Sequence, residues 1–188
     1  MSERSERTGR AQSQAADPHH WRWRRDPIPG GAAVVLDMDG VLADARGRQH
    51  FLDGSGRKDW KGFFDAAGDD LVIEEVVRLT ELLDPALAIV LLTARPVRIR
   101  PLTEVWLERS GVDWDLLVMR PERDFGPSVE FKRRTTSELR AAGFDLRLAF
   151  EDDRRNVDMF HDEGVPCVYL HSGYYDGTQD SAGTLNPT

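Results

Sequence analysis

The 188-residue chain has a single cysteine, Cys167. One thiol allows no internal disulfide and no cysteine-based zinc site. Long apolar runs are missing too. None approaches the roughly 20 residues needed to cross a bilayer, and the N-terminal residues carry no apolar segment of signal-peptide type. These absences predict a cytoplasmic protein with no membrane contact. Positive charge is not in excess. The net charge of −8 argues against broad coating of duplex nucleic acid but permits a small basic groove around one phosphate. No internal repeat is visible. What remains is a globular composition, 40% hydrophobic and 31% charged, with length for one domain and a full core.

Residues 1–29 are polar and lack apolar periodicity, which predicts a mostly disordered N-terminal arm. The patch "WRWRR" at Trp21–Arg25 interrupts it. It reads either as a base-stacking, phosphate-binding patch or, preferably, as an arm docked on the domain's own surface. Residues 177–188 are expected to be an unstructured tail, leaving 30–176 as the domain. Within it, apolar runs at Ala32–Leu36, Ala88–Leu92, Leu116–Met119, Leu146–Phe150 and Cys167–Leu170 have strand length and suit burial on both faces of a parallel sheet. Amphipathic segments lie between them: a helix over Leu71–Leu83, one ending at Gly111, one running from a capping Ser128 to Gly143, and one ending at Gly164. Alternation of this kind predicts an open, doubly wound α/β sheet, which binds ligands beyond the carboxyl ends of its strands.

Polar residues gather at those ends. Asp37 and Asp39 follow the first strand in "VVLDMDGVLAD", Thr93 follows the second in "IVLLTAR", and Asp152 and Asp153 follow the fourth in "LAFEDDR". Lys132 lies in the first turn of the helix leading to that fourth strand. A fixed carboxylate can act as a nucleophile, but against a phosphate it meets like charge. One unit pair at 4 Å costs about 4 kcal/mol at an effective dielectric near 20. Mg²⁺ suits the compensating role, because it takes oxygen ligands and leaves places for phosphate oxygens. The candidate ligands are Asp37, Asp39, Asp152 and Asp153. Asp37 is the candidate nucleophile, Asp39 the acid/base, Lys132 a charge near both anions and Thr93 a donor to a phosphoryl oxygen. Read singly, each has a structural explanation: strand-end aspartates are common turn and cap residues, and Asp152–Asp153 could simply cap the next helix.

Taken together, "DMDGVLAD", Thr93, Lys132 and "EDD" resemble the four motifs of the haloacid dehalogenase (HAD) superfamily phosphatases. The resemblance covers about Ala32 to Tyr175. It implies a Rossmann-like open parallel sheet of about five strands with helices on both faces, Mg²⁺ dependence and an aspartyl-phosphate intermediate. Gly40 to Asp70 is long enough for a flap but not for a lid domain, so a minimal cap and an open site are expected. Finer detail is most similar to the 3′-phosphatase domain of bacteriophage-type polynucleotide kinase/phosphatase. "DMDGVLADARGR" places Arg48 at a functional arginine of that family, and "TAR" implies Arg95 and Ala94 at the substrate phosphate. One departure stands out: Ser128 occupies the position of the family's aspartate four residues before the lysine, and Asp124 is out of register. The resemblance implies action on DNA or RNA 3′ ends, in end repair. No G-x-x-x-x-G-K-[ST] segment occurs, so a kinase or ligase would be a separate partner. The other functions are a phosphatase for mononucleotides or small esters, and a phospho-accepting signalling receiver. Receivers, however, place their acceptor on a middle strand and lack an acid two residues beyond it.

Overall fold

The computed structural model describes residues 18–53 and 57–175. Residues 1–17 of the arm expected at 1–29, and the tail expected from 177, lie outside the described residues. In chain order the elements are β1 (Trp21–Trp23), β2 (Gly31–Leu36), β3 (Ala43–Asp44), a 3₁₀ turn at Ala45–Phe51, α1 (Trp60–Asp65), β4 (Leu71–Val72) and α2 (Glu74–Glu81). Then follow β5 (Ala88–Pro96), α3 (Arg100–Ser110), β6 (Leu116–Arg120), α4 (Ser128–Ala141), β7 (Phe144–Glu151), α5 (Arg154–Asp162) and β8 (Cys167–Tyr169). The main sheet has the order β1-β6-β5-β2-β7-β8. All its pairings are parallel except that of β1 with β6. No described helix is long and apolar enough to cross a membrane.

The apolar runs form strands because both sheet faces are covered. On β2, Val34 and Leu36 face one core with α2 and α3 residues such as Val76 and Trp106. Ala33 and Val35 face the other, with Phe131 and Leu139 of α4 and Met159 and Phe160 of α5. A strand buried on both sides needs a continuous rather than alternating apolar run.

Three expectations are corrected. The sheet has six strands, not five, since part of the N-terminal arm is ordered as β1. There Trp21 is buried and Trp23 stacks on Phe144 at 6.2 Å, while Arg22 pairs with Glu104 and Arg24 with Asp113. Both tryptophans and both arginines are thus occupied by the domain itself. The helix expected from Leu71 starts at Glu74, because Leu71 and Val72 pair with Asp44 and Ala43 to close the flap. Ser128 is the first residue of α4 rather than its cap; Pro127 occupies the cap position, and the Ser128 hydroxyl accepts from Asn156 Nδ2 at 3.4 Å.

Candidate active site

The site begins where β2 ends. The Asp37 amide still donates to Phe150 O across the sheet, and Leu42 N and Ala43 N then close a tight turn on Met38 O. Gly40 is essential to that turn. Its φ is +83°, and an added Cβ would lie 1.9 Å from Asp152 Oδ2. The glycine of "DMDG" lets the first loop lie directly against the carboxylate at the end of β7.

Asp37 Oδ2 lies 3.1 Å from Lys132 Nζ, and the same ammonium donates to Glu151 Oε2 at 2.6 Å. Oxygens of Asp37, Glu151 and Asp152 lie within 4.8 Å of one another. Two oxygens on opposite sides of one Mg²⁺ would span about 4.2 Å, so small side-chain movements close the trio on such an ion. Asp37 Oδ1 is buried without a hydrogen-bond partner. Both Asp152 oxygens are buried without a donor in hydrogen-bond geometry, the Ser172 hydroxyl offering only a loose contact. Buried carboxylate oxygens left unpaired are costly, and a divalent cation satisfies them. The donor set therefore fits a hard metal ion.

Electrostatics agree. Burial, then the charge of Glu151, push the Asp37 carboxyl well above the usual range against the pull of Lys132. The same two causes push Asp152 up to about 8. Burial alone would lower Lys132, but Asp37 and Glu151 outweigh it and keep the ammonium charged. Three carboxylates share one cation, and a second is needed to neutralise them.

Asp39 lies outside this trio. Its Oδ1 accepts from Arg48 Nη2 at 2.5 Å and from Arg95 Nε and Nη2 at 2.9 and 2.6 Å. No protein group among the described residues donates to its Oδ2. Burial would raise its pKa, but Arg95 and then Arg48 more than offset that and hold it below the usual carboxylate value. Behind the arginines, buried Asp70 accepts from Arg48 Nε and Nη2 and from Arg95 Nη2.

The site residues expected from sequence are therefore only partly brought together. Asp37, Lys132 and Asp152 converge. Thr93 lies not after β5 but within it, buried before the register shift between Thr93 and Pro96, and its hydroxyl accepts from Arg95 N at 3.2 Å. Ala94, next to it, is half-buried. Arg48 and Arg95, expected at the substrate, are 2% and 0% exposed and committed to Asp39 and Asp70. Of the four expected metal ligands, Asp37 and Asp152 lie with Glu151 in a group of carboxylates close enough to share an ion, and Asp39 and Asp153 lie outside it. The Asp153 side chain caps α5, accepting from Arg155 N and from the Arg155 guanidinium. Sequence reading assigned no role to Glu151 or Asp70. Glu151 had a visible signal, as a charged residue closing an apolar run directly before Asp152. Asp70 had none, because its partners are 22 and 25 positions away.

Comparison with known proteins decides the family. Residues 31–175 match the family model of the polynucleotide kinase PNKP phosphatase domain. The chain belongs to this family. It is a phosphatase of the HAD type, a hydrolase, which sets the receiver alternative aside. No curated protein matches the chain. Among solved structures, a chain of the Pnkp1/Rnl/Hen1 complex is similar at 24% identity and TM-score 0.60, over 74% of this chain and 46% of that one. A chain from the Pnkp1/Rnl/Hen1 RNA repair complex is similar at 22% identity and TM-score 0.61, over 84% and 48%. A haloacid dehalogenase-like hydrolase from Streptococcus pneumoniae shares the fold at 12% identity and TM-score 0.51, over 81% and 92%. The chain thus spans about half the length of the repair-complex chains it resembles.

Proposed function

We propose that this phosphatase is a Mg²⁺-dependent phosphomonoesterase that removes 3′-phosphates from polynucleotide ends through an aspartyl-phosphate on Asp37. The observation that carries the chemistry is the pairing of a nucleophile beside Lys132 with a second carboxylate two residues on, one of whose oxygens accepts no hydrogen bond from a described residue. Asp37, Asp152 and Glu151 would hold the metal, which when bound supplies positive charge against the phosphate oxygens.

An Asp37 carboxylate oxygen attacks phosphorus, and the bond from phosphorus to the 3′ oxygen breaks. Asp39 enters this step protonated, and its proton passes from Oδ2 to the leaving oxygen, which leaves Asp39 ionised. Water then attacks the phospho-aspartate, its proton passes to ionised Asp39, and the bond from phosphorus to Asp37 breaks to release phosphate. The arginine grip favours the ionised form that this second half requires. Lys132 offsets the charge of the nucleophile and of the incoming phosphate. The Thr93 hydroxyl, whose own proton has no acceptor among the described residues, donates to a phosphoryl oxygen.

Family membership supports the polynucleotide reading, as do the exposed cations of the flap, where the Arg46 and Lys61 side chains are 80% and 81% exposed. The similar chains come from a Pnkp1/Rnl/Hen1 RNA repair complex, which favours RNA ends and a separate kinase or ligase acting on the same termini. The test is kcat/KM for a 3′-phosphorylated oligonucleotide, a 5′-phosphorylated one and a 3′-mononucleotide at fixed salt. The 3′ oligonucleotide should be the best substrate. An equal or better value for the mononucleotide would make the protein a small-ester phosphatase instead.

A further inference from the structure

The polynucleotide reading leaves open where the strand lies once its 3′-phosphate is at Asp37. Two aromatic side chains on the carboxyl rim of the sheet are unusually open to solvent. Phe125 is 90% exposed and Trp60 is 50% exposed. A single exposed aromatic is unremarkable. These two differ in where they are and in how they are held.

Phe125 stands on the loop between β6 and α4, the helix whose first turns deliver Lys132 to Asp37. That loop is braced on both sides of the ring. Asp124 N donates to Pro121 O at 3.1 Å, and Gly126 N donates to Asp124 Oδ1 at 3.1 Å. Arg134 Nη2 donates to Asp124 Oδ2 at 2.5 Å, and Arg120 Nη1 to Gly126 O at 2.8 Å. The ring is thus presented to solvent by a fixed backbone.

Trp60 opens α1, which Asp59 caps through Gly62 N at 2.9 Å. One side of its ring packs on Phe64 at 6.0 Å and on the edge of Phe63 at 5.8 Å, and Lys58 lies 5.7 Å from the ring centre. Arg98, in the turn just past β5, donates to Asp65 and to Lys61 O, so α1 is anchored at the carboxyl end of β5. In the sheet, β5 neighbours β2 and β6 lies one strand further. Both aromatics therefore lie on the same side of Asp37. The step from β2 to β6 is about 10 Å, the rise of about three stacked nucleotides. No carboxylate among the described residues pairs with Lys58, whose ammonium lies over the Trp60 ring, or with Arg123, two positions before Phe125; Lys61, next to Trp60, is held by Asp65.

We infer that Trp60 and Phe125 form a base-stacking track, along which the nucleotides preceding the 3′-phosphate leave the site across the ends of β5 and β6. This rests on the polynucleotide reading and adds the direction of the strand and the residues that hold it. Exposed flat rings, with Lys58 and Arg123 nearby and free of carboxylate partners among the described residues, match alternating bases and phosphates, and stacking tolerates any base.

The experiment compares wild type with Phe125→Ala, Phe125→Tyr, Trp60→Ala and Trp60→Phe on three substrates. These are a 3′-phosphorylated oligonucleotide, the same oligomer with its last few residues abasic, and p-nitrophenyl phosphate. Each alanine variant should lose about tenfold in kcat/KM on the normal oligonucleotide, and the aromatic replacements should restore most of it. The abasic oligomer and p-nitrophenyl phosphate should be cleaved by all variants at wild-type rates. Undiminished oligonucleotide cleavage by both alanine variants would overturn the track, as would equal losses on all three substrates. If wild type itself shows no preference for the oligonucleotide over p-nitrophenyl phosphate, the polynucleotide reading fails and the track with it.

Discussion

Arg95 donates from both Nε and Nη2 to one oxygen of Asp39, at 2.9 and 2.6 Å, across 56 positions of sequence. With Arg48 on the same atom, one side of the carboxylate is saturated and the other is left for a proton. Arg95, expected from sequence at the substrate phosphate, thus turns Nε and Nη2 to Asp39, the proposed acid/base, and leaves Nη1 without a hydrogen-bond partner among the described residues.

This distinction is measurable. Arg48→Lys and Arg95→Lys keep a cation but lose the planar fork. Each should lower kcat by about a hundredfold, the lower range for general acid–base help. The loss should be equal on p-nitrophenyl phosphate and on an oligonucleotide. A loss confined to KM for the oligonucleotide would return both arginines to the substrate.

Asp70 supports the pair from behind. Asp70→Ala leaves two buried guanidiniums with an unanswered charge and should cost about 3–5 kcal/mol in denaturant unfolding. Asp70→Asn, which keeps the shape, should fold but lose activity in parallel with the arginine variants.

The core strands were legible in the sequence, and the edge strand β1 and the start of α2 were not, for a physical reason. β2, β5 and β6 are apolar runs because each is covered on two faces, and burial leaves a local mark; β7 is covered so only at its carboxyl end, and β8 leaves Val168 exposed. β1 has three residues with an arginine in the middle, and only its pairing with β6 makes it a strand. Leu71 and Val72 continue the apolar spacing of α2 but are claimed by Asp44 and Ala43, 27 and 29 positions earlier. The site divides in the same way. Asp37, Lys132 and Asp152 stand at strand ends or in a helix's first turns and could be found by position. Whether Arg48 and Arg95 meet substrate or another side chain depends on packing, which spacing does not encode.

Metal binding should be linked to pH. Without a cation, Asp152 prefers its proton up to about pH 8, against an ordinary value of 3.8. A raised carboxyl contributes stability that is complete below the unfolded value and disappears as pH climbs through the folded one. A cation binds the ionised trio and restores that loss. The rise in Tm on adding MgCl2 to EDTA-treated protein should therefore be small near pH 5 and larger near pH 8. A shift independent of pH would argue against the buried carboxylates as ligands.

Gly40→Ala should be among the most damaging single-methyl additions in the chain. The new Cβ would fall on Asp152 Oδ2, and φ at this position is +83°. Metal affinity should fall by about ten- to a hundredfold, as when a metal ligand loses its orienting neighbours. Mg²⁺ titration followed by thermal shift would show it; an unchanged affinity would mean that the loop moves aside without cost.

The central claim is that Asp37 carries the phosphoryl group. Asp39→Asn slows release of the intermediate by removing the base that activates water, so it is the variant in which phospho-Asp37 should accumulate. The measurement is a rapid acid quench of this variant with Mg²⁺ and p-nitrophenyl phosphate, whose leaving group departs without a proton so that only breakdown of the adduct is slowed, followed by peptide mass spectrometry. A phosphoryl adduct on Asp37, absent when Asp37→Asn is combined with Asp39→Asn, is the predicted result. Steady phosphate release with no adduct on Asp37 at any quench time, or an adduct on another residue, would contradict it.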